Sequence, residues 1–142
     1  MKSNEILAYI KTNPLLFPVP MTDQQGEDVL ELLAICRTKG VTSQRQTAYI
    51  LATALVDADM ALPTETLDAI IDGRATGHSL SEFFSDETTD WLGARAVVTS
   101  SMADAEMVAI KASAFYAVVK RAAFELEAGA YVDDDPQGIG LA

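Results

Sequence analysis

A chain of 142 residues, 49% of them apolar, with 8 glycines and 5 prolines, is long enough to bury one core and too apolar to stay unfolded. Its formal net charge of −11 and pI near 4.3 repel nucleic acid backbones and anionic membranes, so neither is an expected partner. One cysteine and one histidine exclude an internal disulfide and the usual zinc ligand sets, and no metal or cofactor is expected.

In chain order, Ser3 is placed to cap a short helix with Ile6, Leu7 and Ile10 on one side. Glu5 and Pro14 interrupt this segment, which therefore reads as a helix and not as a signal peptide. "NPLLFPVP", Asn13 to Pro20, carries three prolines and breaks the helix into a connector. Thr22 and Gln25 have capping-box spacing for a second helix, whose apolar run includes Val29, Leu30, Leu32, Leu33 and Ile35 and stops at Gly40. Cys36 belongs to that run, so an inert core thiol is expected.

Ser43 and Gln46 repeat the capping-box spacing and open "TAYILATALVDADM", Thr47 to Met60. This helix is apolar almost all the way round, which predicts the most buried element of the fold. It ends on two acids, Asp57 and Asp59. Pro63 and Thr64 begin a short helix through Leu67, Ile70 and Ile71 that stops at Gly73. Ser79 with Glu82 marks a brief turn, and a helix is predicted from Trp91 to about Val98. Ser101 with Asp104 signals a last, longest helix to about Leu126, with Gly129 beyond its end.

Strand-like alternation is missing throughout, so the expected class is all-α. One helical domain is expected over residues 1–128, with an acidic tail over 129–142 that includes Asp133, Asp134 and Asp135. Within the domain, residues 1–20 form the first helix and its connector. No segment has the apolar length of a membrane span.

Two blocks, 21–60 and 69–122, carry a resemblance. The first runs "MTDQQGEDVLELLAICRTKGVTSQRQTAYILATALVDADM". The second contains Asp72-Gly73, Thr76-Gly77, Leu80 and Phe83-Phe84, then Gly93-Ala94-Arg95, Val97-Val98, and Ala105, Ala109, Ala112, Phe115 and Ala117. In this order the blocks resemble phage endolysins of the chitinase-like, glycoside hydrolase family 19 type, within the lysozyme superfamily. The resemblance implies a lysozyme-like helical core and a muralytic ancestry. The family's central helix ends in His-Glu, the Glu being the general acid; here Val56 and Asp57 stand at those positions. The segment that builds the family's substrate-binding lobe and supplies its water-activating carboxylate is missing, because only Met60 to Thr66 separates the blocks.

Glycoside hydrolysis generally requires two carboxyl groups at a fixed separation, and an acid sheltered in a pocket. Asp57 is the candidate acid, with Glu65 or Asp68 as the only nearby second carboxylate. Asp59 points to another helix face. An Asp is one methylene shorter than a Glu, a displacement on the order of 1 Å that costs about a hundredfold in rate. Arg95 is expected in a structural ion pair ahead of a substrate clamp. Trp91 and Phe84 are expected in the core or in a partner groove, ahead of a sugar-stacking platform.

The expectation is a non-catalytic, endolysin-derived phage or prophage protein that acts by binding another protein, phage structural or host. It would be virion-associated or lie in the cytoplasm of the infected host. The alternative is a minimal enzyme acting on peptidoglycan through Asp57. A weaker alternative is an acidic inhibitor of a host defence protein.

Overall fold

The computed structural model describes residues 3–126. Five α-helices account for most of them: α1 Ser3–Lys11, α2 Asp23–Thr38, α3 Gln44–Ala58, α4 Thr64–Asp72 and α5 Ala105–Leu126. Single 3₁₀ turns lie at Leu80–Glu82 and Gly93–Val97. Among the described residues no strand forms, and one isolated antiparallel bridge joins Phe84 to Thr89. The described residues are all-α and form a single domain. The expected tail, 129–142, and Gly129 lie outside the described residues, as does the side chain of Ser3.

Local signals set most helix ends. Thr22 Oγ1 accepts from Gln25 N–H (3.1 Å) and Gln25 Oε1 from Thr22 N–H (2.9 Å), the reciprocal capping box the spacing predicts. Ser43 Oγ accepts from Gln46 N–H at 3.2 Å and opens α3. Gly73 closes α4 at φ 76°, a left-handed position that suits glycine.

Two expectations are corrected. The segment predicted as a helix from Trp91 to about Val98 is a 3₁₀ turn at Gly93–Val97. Thr76 donates its hydroxyl to the carbonyls of Ala96 and Val97, which fixes this segment from outside. A Cβ on Gly93 would overlap the carboxylate of Asp90, whose Oδ1 accepts from Gly93 N–H at 2.8 Å and starts the turn. Likewise, α5 begins at Ala105, later than a helix capped by Ser101 would begin. Ser101 Oγ accepts instead from Ala103 N–H at 3.3 Å, so its hydroxyl stabilises a local turn.

At the centre of the molecule, α3 packs most extensively on α5. Every residue from Thr47 to Ala54 is buried, as its nearly uninterrupted apolar sequence predicts. Facing residues on α5 recur at helical spacing: Val108, Ala112, Phe115, Val119 and Ala122, all but fully buried. Alanines 48, 52 and 54 in α3 and 112 and 122 in α5 are all buried, and small side chains of this kind favour close helix packing. Burial of Leu51 or Phe115 contributes about 1.5–3 kcal/mol each. Around this pair, α1 packs on α5 and α2, and α2 on α3.

Candidate functional site

The chemistry-bearing residues gather on one face of α3. Arg45, Tyr49, Thr53 and Asp57 recur every fourth position, and that spacing stacks their side chains along a single stripe. The stripe is turned toward the segment from Phe84 to Arg95. At its start, Arg45 donates to the carbonyls of Ser85 (2.8 Å) and Thr88 (3.1 Å) and to the hydroxyl of Thr89. Next, the Tyr49 ring packs on Phe84 with centroids 5.7 Å apart. At its end, Asp57 meets Arg95.

Arg95 Nη1 and Nη2 donate to the two carboxylate oxygens of Asp57 at 2.8 and 2.9 Å. This is a fork-to-fork pair, the geometry in which a guanidinium binds a carboxylate best. The Arg95 side chain is 6% exposed and that of Asp57 27%, while Asp104 stands farther off, 3.9 Å from Nη2. Hydrogen bonding to Asp57 raises the Arg95 pKa above its ordinary value, against burial, which lowers it. Burial pushes the Tyr49 hydroxyl well above its usual pKa; the Arg95 charge opposes this, while Asp57 and Asp90 add to it.

The remaining sequence candidates are scattered. Glu65 is exposed in the first turn of α4, and Asp68, one turn on, forms an ion pair with Lys39 at 3.4 Å. That contact holds α4 to the end of α2; its geometry is that of an ion pair and not of a directed hydrogen bond. Asp59 accepts from Gln25 Nε2 at 2.9 Å. Among the described residues, Asp57 lines none of four shallow surface grooves.

Phe84 is 2% exposed, and its ring sits between Tyr49 and Trp91 (4.9 Å), with Tyr116 next beyond Trp91 at 5.7 Å. The four rings form a continuous aromatic column that runs from the core at Tyr49 and Phe84 out to the partly buried Trp91 and Tyr116. Trp91 alone of the two aromatic candidates reaches a groove, beside Leu15 and Ile110. The Cys36 thiol is buried and its pKa is pushed up to about 12, which keeps it protonated and unreactive at neutral pH. Among the described residues, no three His, Cys, Asp or Glu side chains cluster to hold a metal ion, and no helix is long and apolar enough to cross a membrane.

Sequence reasoning passed over Arg45 and Tyr49. Their signal was the presence of polar groups at fourth positions of an otherwise apolar helix. The match to the segment at Phe84–Arg95 lay some 40 residues further along the chain, as in the Arg45–Ser85 bond.

No family model, no curated protein and no solved structure matches the chain. The likeness to endolysins therefore rests on the two sequence blocks.

Proposed function

We propose that the chain is a non-catalytic, endolysin-derived phage or prophage protein that works by binding, as a virion-associated or host-interacting component. One observation carries this reading. Asp57, at the position of the family's general acid, has both oxygens engaged by the buried Arg95. A general acid must reach the glycosidic oxygen of a bound sugar, with a second carboxylate across the bond. Asp57 instead faces a guanidinium and lines none of the grooves above, while Asp68 is committed to Lys39. A carboxylate used in this way is a structural bolt between α3 and the turn at Gly93–Val97.

The test is incubation of the purified protein with peptidoglycan, beside an Asp57→Asn variant whose helical circular dichroism confirms that it folds. Neither is expected to release glycan fragments. Release by the wild type that the folded variant lacks would overturn the reading in favour of a minimal muralytic enzyme. Recovery of the protein in purified phage particles would support the virion-associated form of the proposal.

A further inference from the structure

The solvent side of α5 is unlike that of a freely solvated helix. Its exposed positions between the two ends are Met107, Ile110, Ser113 and Ala117, none of them charged, in a chain with 22% charged residues. Lys111, alongside, donates to the carbonyl of Leu15 and is thereby drawn to the edge of the face. Charge returns only at the ends, as Glu106 at one and Lys120 and Arg121 at the other. Surface helices ordinarily keep charged residues on this side. Three large apolar side chains lie half or more open here: Leu15 (58%), Met107 (52%) and Ile110 (50%). Two shallow grooves, of about 580 and 380 Å³, run along the helix and meet at Asn13 and Ala117.

We propose that this face of α5 binds the same face of a second copy of the chain, antiparallel, about a two-fold axis between Ser113 and Ala114. Reversing α5 on itself about that point places Glu106 opposite Arg121 of the second copy, and each such pair occurs twice in a two-fold interface. It also sets Ile110 opposite Ala117, a large side chain over a small one. Ala109, Ser113 and Ala117, at every fourth position, let the two backbones approach closely. A helix of unrelated sequence would have to supply both the charge reversal and the size match; a second copy supplies them by symmetry. The face is about 22 Å long, from Glu106 to Arg121 at the rise of an α-helix. This inference stands apart from the functional reading: it is decided by oligomeric state, whereas that reading is decided on peptidoglycan.

The full chain is examined by analytical ultracentrifugation from micromolar to millimolar concentration, at physiological ionic strength to screen the repulsion between two acidic molecules. A concentration-dependent dimer is expected, with a shift in the emission of Trp91, the only tryptophan and a residue of the groove. Ser113→Cys should oxidise to a covalent dimer under dioxygen with a copper catalyst, because the two thiols face each other near the axis. Ser81→Cys, on an exposed turn elsewhere, should not, and the buried Cys36 contributes nothing. Glu106→Lys and Arg121→Glu should each weaken the dimer by roughly tenfold, and the two together should restore it, since reversal at both ends recreates the pairs. A monomer at every concentration overturns the proposal and leaves the face to a different protein. A dimer that the double charge reversal fails to restore, or in which Ser113→Cys links no faster than Ser81→Cys, overturns it equally.

Discussion

Arg95 binds Asp57 through two parallel hydrogen bonds, of 2.8 and 2.9 Å, across 38 residues of chain. The pair closes the C-terminal end of α3 against the turn at Gly93–Val97, and the two partners are unequally buried. That inequality decides which one is dangerous to leave alone. An unpaired carboxylate at the position of Asp57 can still be hydrated, whereas an unpaired guanidinium at the position of Arg95 cannot.

Removing the acid should therefore cost more than removing the base. Asp57→Ala is expected to destabilise by about 3 kcal/mol, at the low end for a broken buried pair because Asp57 is partly open to water. Arg95→Met, which keeps most of the side-chain volume, should cost only about 1–2 kcal/mol. Denaturant titrations of the two variants measure the order directly. If Arg95→Met proves the more damaging, the guanidinium is doing something besides answering Asp57.

This pair also marks the limit of what the sequence discloses. Capping boxes, the Gly73 stop and the burial of α3 could be read because each is set by residues within one or two turns. An ion pair for Arg95 was legible as a type of interaction, but its partner was not, since nothing local links positions 57 and 95. The 3₁₀ turn at Gly93–Val97 was missed in part for the same reason: Asp90 starts it locally, but Thr76, 20 residues away from Ala96, also holds it. Ser101 misled in the opposite direction, because its hydroxyl had a nearer backbone donor in Ala103 than any helix offered. The aromatic candidates illustrate a third case. Both were expected in the core or in a partner groove, and only the packing separates Phe84, in the core, from Trp91, at a surface groove.

Arg45 is the counterpart of Arg95 at the other end of the stripe. It is 3% exposed and donates to Ser85, Thr88 and Thr89, tying the turn between Phe84 and Thr89 to the first turn of α3. Arg45→Lys keeps the charge but has no planar fork to serve several acceptors at once. A loss of about 1.5–3 kcal/mol is expected, the worth of a charge-assisted bond. Amide exchange should quicken at Ser85–Thr89 before it does in α5, which separates a local anchor from general loss of the core.

A pH response is expected at Glu82. His78 Nδ1 lies 3.0 Å from its Oε1, and Ser79 N–H donates to its Oε2 at 2.7 Å. The side-chain bond from His78, then the backbone bond from Ser79, hold the Glu82 pKa below its ordinary value of 4.5. A folded pKa below the unfolded one means that the contribution is present above 4.5 and fades as pH falls through the lower folded value. Carboxyl chemical shifts of Glu82 followed against pH should show the depressed midpoint. His78→Ala should move it upward toward the ordinary value, and a midpoint indifferent to His78 would remove that residue as the cause.

At the end of α3 the chain takes two successive left-handed residues without glycine. Asp59 has φ 52° and Met60 φ 80°. Each such position costs a residue with a Cβ about 1–2 kcal/mol, with Asp and Asn the most tolerant. The surroundings hold this turn: the Met60 side chain is fully buried, its N–H donates to the Ala54 carbonyl at 2.9 Å, and Gln25 Nε2 donates to Asp59 Oδ1. The same Gln25 amide caps α2 through its oxygen, so one side chain joins the start of α2 to the end of α3. Asp59→Asn keeps the bond and the tolerance and removes a negative charge from a helix C-terminus, so it should match or slightly exceed the wild type in stability. Asp59→Gly loses the bond but relieves the backbone and should fall slightly below. Asp59→Ala loses the bond and keeps the strain, and is expected to cost about 1–2 kcal/mol. Thermal melts of the three variants give the ranking, and an alanine variant as stable as the glycine one would show that the turn stores no strain.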